Sequence, residues 1–169
     1  MSAASLNFRP RFATIAKSML FPSEAQALGP LANNLSVCVW WTDTLPYVSS
    51  IDGTKAGDLA KNFSAETGAQ WTQALGSLYS LFEVAVEAFK AASDPKDRAD
   101  VADKLKNLSY QGISGPLDFT NGPEKGIAVI KCVGGQWRPG AKYPYEIVVV
   151  DNATNRDFPV GGDLEPLTS

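Results

Sequence analysis

The chain has 169 residues, of which 44% are hydrophobic and 20% charged, and its formal net charge is −3. This length and composition suit one globular unit with a sizeable core and exclude disorder as the dominant state. The pI is about 4.9, and the basic residues are scattered singly. A nucleic-acid partner is therefore not expected, because a groove that neutralises phosphates needs clustered Lys and Arg.

The first part of the chain has the pattern of a strand–helix–strand unit. The short apolar run at residues 12–16 predicts a buried strand. Ser23 and Gln26 form a capping-box pattern, which predicts a helix over residues 24–31. Residues 35–41 alternate in character and predict a second strand. Such a unit implies that the two strands pair in parallel within an α/β fold.

A helical region follows a loop at residues 42–54. Residues 55–67 predict a helix that ends at Gly68, a residue suited to the left-handed position after a helix. Asp94 as N-cap, with Pro95 at the first helical position, predicts a further helix.

The strongest helical pattern covers residues 75–92. Its apolar side chains form one broad stripe, and Glu83 lies on the narrow polar edge. The pattern predicts the most buried helix of the chain, with Phe82 and Phe89 in the core.

After Gly112 the pattern changes to short strands. Residues 127–132 predict a strand, Gly134-Gly135 a turn, and residues 136–138 and 145–150 the strands that follow. The polar tail from Asn152 predicts an irregular wrap.

The chain contains no histidine, which excludes Ser-His-Asp and Cys-His nucleophile pairs and H-E-x-x-H zinc sites. Phosphate-binding glycine motifs are also missing from the sequence. Asp43 and Asp52 could do acid–base work, but surface carboxylates are far commoner than catalytic ones. The aspartates at 94, 97, 100 and 103 spiral around a helix beside lysines, which favours a solvated face over a metal site. We therefore expect a protein that is not an enzyme and holds no cofactor or metal.

Two cysteines, Cys38 and Cys132, lie far apart in the sequence. They are compatible with one long-range disulfide in an oxidising compartment or with two buried thiols. The N-terminus lacks the basic and apolar regions of a signal peptide, so we expect a cytoplasmic protein or one whose leader has been removed.

Aromatic residues cluster where the second predicted strand ends. Trp40 and Trp41 are followed closely by Thr42 and Tyr47, and Trp71 directly precedes the strongest helix pattern. Ligands of α/β proteins gather at the carboxyl ends of strands. Each tryptophan considered singly is better explained as core packing.

Taken in order, these stretches resemble the type I solute-binding proteins of the Leu/Ile/Val-binding kind. The similarity covers residues 7–166 and includes the Val39-Trp40-Trp41 crossover and the helix segment 76–81. Its most specific part is Gly115-Pro116-Leu117-Asp118-Phe119, followed by Gly134-Gly135-Gln136-Trp137.

The resemblance implies a periplasmic-binding-protein-like type I α/β fold with two Rossmann-like, three-layer αβα lobes, incomplete in this chain. Residues 1–47 would form the strand–helix–strand part of lobe 2 and a crossover. Residues 48–115 would form the helical part of lobe 1, and residues 116–169 the strands and tail that return to lobe 2. The chain would match only the last two-fifths of such a protein.

The resemblance also implies where a ligand held between two lobes would be contacted. Lys17 and Phe21 would lie at the cleft edge of lobe 2. The other candidates are Trp41, Thr42 and Tyr47, in or beside the hinge, and Trp71 and Gln73, which would line the cleft from lobe 1.

The implied function is the extracytoplasmic, periplasmic solute-binding component of an ABC importer, working with an ABC permease. The solute would be an amino acid or another small carboxylate, including aromatic ones. The alternatives are a ligand-sensing receptor domain of the same fold and an α/β enzyme that uses carboxylates only. Exposed strand edges and an uncovered helix stripe would make this chain self-associate.

Overall fold

Strand β2 (Ser36–Val39) lies inside a four-stranded sheet in this computed structural model, which describes residues 4–168. The sheet order is β1-β2-β5-β6, with β1 (Thr14–Ile15), β5 (Val133–Arg138) and β6 (Glu146–Asp151). Strands β1 and β2 are parallel, and the other two pairings are antiparallel. The structure thus confirms the predicted parallel pair. It also confirms the strands predicted at residues 35–41 and 145–150, each with slightly different ends.

The sheet forms the core of its part of the chain. Because β2 has partners on both sides, Val37 and Val39 are almost completely buried, as are Trp137 on β5 and Val149 on β6. The Trp137 indole N–H donates to the carbonyl of Met19 at 2.9 Å. This bond satisfies the one polar atom that burial of an indole would otherwise leave without a partner.

Two details of the first strand–helix–strand unit differ from the prediction. Strand β1 has two residues and is not buried, because it is an edge strand with a single partner. Helix α1 (Pro22–Leu28) begins earlier than predicted, with Pro22 in its first turn. The carboxylate of Glu24 accepts a hydrogen bond from the amide of Phe21 at 2.9 Å, so Glu24 has the role that the pattern assigned to Gln26.

The predicted turn at Gly134-Gly135 is wrong. Both glycines lie inside β5, where the β5–β6 register shifts by a bulge. A Cβ at Gly135 would lie 2.4 Å from a methyl carbon of Val39 on the neighbouring strand. Glycine is required here for close packing within the sheet rather than for a turn.

The predicted strand at residues 127–132 is also wrong. This segment is irregular, and Ile127 and Val129 are exposed. An apolar run becomes a strand only where a neighbouring strand can pair with its backbone, and the segment has no ladder partner among the described residues.

The C-terminal tail is an irregular segment, as predicted, and Gln136 fastens it to the sheet. The buried Gln136 amide nitrogen donates to the carbonyls of Asn34 and Glu165, at 2.8 and 2.7 Å. Its oxygen accepts from the amide of Glu165 at 3.0 Å. A side chain with two donors and an acceptor thus joins β5, the start of β2 and the tail.

The middle of the chain is mostly helical and ends in a hairpin. Its elements are α2 (Ala56–Thr67), α3 (Gln73–Ala91), α4 (Arg98–Lys106), β3 (Ser109–Gly112) and β4 (Gly115–Asp118). Gly68 adopts a φ of 70°, which confirms it as the residue that ends α2. Helix α4 begins later than predicted, because Asp97 rather than Asp94 is the N-cap and accepts from the amide of Ala99 at 2.8 Å.

Helix α3 is correctly predicted in position but not in orientation. Its buried residues are Gln73, Gly76, Ser80, Glu83 and Ala88. The apolar stripe faces outward: Phe82 is 70% and Phe89 49% exposed, and Leu78 and Leu81 are also exposed. The prediction that Phe82 and Phe89 lie in the core is therefore wrong for this chain.

The chain divides into two compact units. Unit 1 contains the chain up to Val39 and from Cys132 onward, and unit 2 is Trp40–Lys131. Among the described residues, we find no helix with the length and apolarity needed to cross a bilayer.

The outward orientation of the stripe generates a stability prediction. Phe82→Ala should change the free energy of unfolding of the monomeric 169-residue chain by no more than about 0.5 kcal/mol, because the ring is mostly in water in the monomer. Ile113→Ala, at a fully buried position in the same unit, should cost about 2–5 kcal/mol. Urea denaturation followed by circular dichroism measures both. A loss at Phe82 as large as that at Ile113 would contradict the orientation of α3.

Candidate functional site

The candidate site in unit 2 is a group of aromatic side chains where the chain leaves strand β2. Trp40 and Trp41 follow the strand directly, and helix α3 begins beside them. The backbone N–H of Trp40 donates to the Gln73 side-chain oxygen at 3.0 Å, and its indole N–H donates to the hydroxyl of Ser77 at 2.9 Å. Two residues of the first turns of α3 thus fix the position of Trp40.

Trp41 is completely buried within unit 2. Its indole N–H donates to the carbonyl of Ile113 at 3.2 Å. The ring lies directly against the backbone of α3, since a Cβ at Gly76 would lie 2.2 Å from it. Only glycine at position 76 lets the indole approach this closely.

Trp71 meets Trp41 edge to face, with ring centroids 5.5 Å apart and an interplanar angle of 83°. It lies between the end of α2 and the start of α3 and is half-buried. Such a contact adds about 0.5–1.5 kcal/mol to the burial of the rings. Of the two indoles predicted to contact a ligand, only that of Trp71 presents part of its surface.

The remaining unit 2 candidates are buried. The Thr42 hydroxyl lies 2.8 Å from that of Thr44, and the Tyr47 ring packs where a Cβ at Gly115 would lie 2.6 Å from it. Gln73 is fully buried at the start of α3. The structure therefore brings Trp41, Trp71 and Gln73 together around the first turns of α3, and Trp40 is hydrogen-bonded to the same turns.

The two candidates in unit 1 are on the surface. Lys17 follows strand β1, and Phe21 precedes α1 with its ring 43% exposed. Both side chains are accessible to a ligand.

A buried carboxylate that the sequence pattern placed on the polar edge of α3 is a central feature of unit 2. Glu83 is fully buried. One of its oxygens accepts from the amides of Ser50 and Ile113, at 3.0 and 3.1 Å, and the other accepts from the amide of Ile113 at 3.1 Å. Backbone amides thus satisfy both carboxylate oxygens. The sequence signal for the inward position of Glu83 is its spacing: it follows Gly76 by seven residues and therefore lies on the same helix face.

The Glu83 carboxylate also affects its neighbours. A Cβ at Gly112 would lie 2.3 Å from a Glu83 carboxylate oxygen, so glycine is needed where the hairpin passes over the acid. Burial raises the pKa of the Tyr110 phenol, and the charges of Glu83 and Glu87 raise it further. This phenol therefore stays protonated and uncharged beside the acid.

The loop that Glu83 holds contains a second, exposed carboxylate. The backbone amide of Thr54 bonds to Asp52 and lowers the pKa of its carboxyl. The Tyr79 hydroxyl on α3 also donates to Asp52, at 3.1 Å. Residues 49–54 are thus joined to α3 from both sides of the loop.

Glu83→Gln should destabilise the chain by about 1–3 kcal/mol. The NH₂ group of the glutamine would replace one carboxylate oxygen and would then face a backbone N–H that has lost its acceptor. Glu87→Gln is the matched control one turn away, where a surface pair with Lys90 at 2.9 Å is lost; its cost should stay below about 0.5 kcal/mol. Urea denaturation at pH 7 measures both. Equal losses in the two variants would contradict the structural role of Glu83.

A family model described as "Periplasmic binding protein" matches residues 1–141 of this chain. No curated protein matches the sequence. Similar folds occur among solved solute-binding proteins, all below 25% identity. The leucine-binding protein LivK of Thermotoga maritima has a TM-score of 0.67 and 17% identity, over 92% of this chain and 40% of that one.

Two further structures have named ligands. The branched-chain amino acid binding protein LivJ of Streptococcus pneumoniae, in complex with isoleucine, has a TM-score of 0.62 and 15% identity, over 87% of this chain and 39% of that one. A solute-binding protein of Rhodopseudomonas palustris, in complex with benzoate, has a TM-score of 0.52 and 14% identity, over 78% of this chain and 35% of that one.

The chain spans about two-fifths of the length of these proteins. It therefore has an incomplete form of their α/β fold, as the sequence resemblance predicted. Because the family model matches most of the length of this chain, the chain belongs to the periplasmic binding protein family.

Proposed function

We propose that this chain is part of an extracytoplasmic solute-binding component of an ABC importer, and that it serves binding rather than catalysis. Family membership carries this proposal. Proteins of similar fold include ones described as a leucine-binding protein or solved in complex with isoleucine or benzoate. These solutes share a carboxylate and an apolar side, so we propose an amino acid or another small carboxylate as the solute. The partner would be a membrane permease.

The division into units supports a two-lobed organisation. We propose that residues 1–47 and 116–169 belong to one lobe and residues 48–115 to the other. The compact units change at Trp40 and Cys132, whereas the proposed lobes change at residues 48 and 116, so the boundaries differ by 8 residues at the first and by 16 at the second. Both stretches belong to unit 2: the first contains the buried Trp41, and the second contains most of strand β4, which pairs with β3.

The outward apolar stripe of α3 supports the proposal that lobe 1 is incomplete. Leu78, Leu81, Phe82 and Phe89 are all about half exposed or more. At the usual size of such side chains they expose several hundred Å² of apolar surface, which is as large as the largest patch on a typical monomer. We propose that the rest of lobe 1, in a longer parent protein, covers this stripe.

A chain with this stripe uncovered should self-associate. Sedimentation velocity of the 169-residue chain at tens of micromolar should show a dimer or a larger species. Phe82→Lys should shift the population toward monomer, whereas Val160→Lys, at an apolar residue of unit 1 that is 51% exposed, should not. A monomeric wild-type chain would contradict the proposal that the stripe needs a cover.

Among the unit 2 candidates, we propose Trp71 as the side chain that contacts the solute. It keeps an accessible part of its ring, while Trp41, Thr42, Tyr47 and Gln73 are buried and already engaged in contacts within unit 2. These four would hold the aromatic group in place. In unit 1, Lys17 and Phe21 remain the proposed contacts, as a cation for a carboxylate and an apolar ring.

The binding proposal is tested by calorimetric titration of leucine, isoleucine and benzoate into the protein encoded by the complete reading frame. We expect at least one of them to bind, and Trp71→Ala to weaken that binding by about 1–3 kcal/mol. Trp71→Phe keeps an aromatic face and should lose less. Absence of binding by all three would count against this class of solute.

Because Trp71 also packs on Trp41, the stability of each variant must be measured in parallel by urea denaturation. Unchanged affinity combined with lowered stability would show that Trp71 is a packing residue.

A further inference from the structure

Cys38 lies on strand β2 of the unit 1 sheet, and Cys132 is the residue before the neighbouring strand β5. In the antiparallel β2–β5 pair, Cys38 is opposite Gly134 and Val39 is opposite Val133. Cys132 directly precedes β5, two residues before Gly134. Residues two apart in an extended chain point to the same face. Cys132 is therefore the diagonal neighbour of Cys38, and Gly134 places no side chain beside them.

The surroundings of the two sulfurs agree with this placement. Both are thiols; Cys132 is exposed and Cys38 is half-buried. Burial raises the pKa of the Cys132 thiol, the Cys38 sulfur raises it further, and the Lys17 ammonium group opposes the shift. The two sulfurs and the ammonium group are thus close enough to interact, near the carboxyl ends of the parallel strands β1 and β2.

We propose that Cys38 and Cys132 are a modification site and form an intramolecular disulfide by exchange with an external disulfide. The bond would lie where the chain leaves unit 1, after Val39, and where it returns, at Cys132. It would close a loop that contains the whole of unit 2.

The reaction proceeds in two exchange steps. The thiolate of Cys132, the more exposed of the two cysteines, attacks a low-molecular-weight disulfide such as oxidised glutathione and releases one thiolate. The thiolate of Cys38 then attacks the Cys132 sulfur of the mixed disulfide and releases the second thiol. Two protein thiols are oxidised to one disulfide, and the external disulfide is reduced to two thiols.

The geometry permits this bond after a small movement. Diagonal neighbours on paired strands have Cβ atoms up to about 7 Å apart, whereas a disulfide needs about 3.5–4.5 Å. Cys132 must therefore move by about 3 Å. It ends the irregular segment 127–132 and is outside the β2–β5 ladder, so it can move without breaking ladder hydrogen bonds. Its carbonyl accepts from the Thr154 hydroxyl, which keeps it near the sheet.

The test is oxidation of the purified 169-residue chain with excess oxidised glutathione, followed by mass spectrometry and a count of thiols. We expect the mass to fall by two hydrogen atoms, and the peptides that contain Cys38 and Cys132 to be joined. Cys38→Ser and Cys132→Ser should instead each retain one glutathione on the remaining cysteine. The oxidised wild-type chain should unfold at a higher urea concentration than the reduced one, because the bond restricts the unfolded chain.

A matched variant separates geometry from chain flexibility. Val129→Cys in the Cys132→Ser background moves the thiol within the same irregular segment, away from the diagonal position, and should not form the bond. Glutathione on both wild-type cysteines, two unreacted thiols in the folded chain, or a disulfide between two chains would each overturn the proposal. The bond would persist in the cell only in the extracytoplasmic location proposed above, whereas its formation in the purified chain does not depend on that location.

Discussion

The contact between the Trp41 indole and the backbone of Gly76 determines how unit 2 is arranged. An indole can lie this close to a helix only where the helix has no side chain. This contact fixes the rotation of α3 about its own axis, because Gly76 must face Trp41. Ser80 and Glu83, four and seven residues later, then face inward as well. The stripe that contains Phe82 and Phe89 must face the other way.

This arrangement buries a carboxylate, which would be costly without compensation. Three hydrogen bonds from the amides of Ser50 and Ile113 provide it. They also link the loop after Tyr47 and the turn of the β3–β4 hairpin to α3. The position of the hairpin in turn supplies the Ile113 carbonyl that accepts from the Trp41 indole. Ile113 is thus hydrogen-bonded to both Trp41 and Glu83, so that the removal of any one of the three residues weakens the positioning of the other two.

Local signals predicted those parts of the fold that depend on local physics. Alternation of side chains predicted strand β2, and the strand–helix–strand order predicted the parallel pair. The end of α2 was predicted from Gly68, because glycine readily adopts the left-handed backbone found there. The orientation of α3 about its axis could not be predicted from the sequence. An apolar stripe shows that one side of a helix is suited to burial, but it does not show which part of the protein covers that side. The pair Gly134-Gly135 has the local pattern of a turn, but glycine is needed at position 135 because Val39 packs closely against it on the neighbouring strand. The sequence placed Trp41 at the end of β2 and Trp71 directly before α3, but it did not predict their contact. The burial of Trp41 depends on Gly76 and Ile113 together.

Helix α3 has an inner face that is already packed and an outer face that is apolar, and this restricts its place in a larger protein. Its inner face is formed by small and polar residues, and four of them, Gln73, Gly76, Ser80 and Glu83, each have a specific partner inside unit 2. Its outer face is apolar, which is the character of a surface packed against a sheet or a second helix. A helix covered on both faces lies inside a lobe rather than on its surface. If lobe 1 is completed by a longer chain, as we propose, the inner face would hold the aromatic group and the outer face would support the lobe. Substitutions such as Phe82→Ala would then be nearly neutral in the monomer of this chain and strongly destabilising in the complete protein.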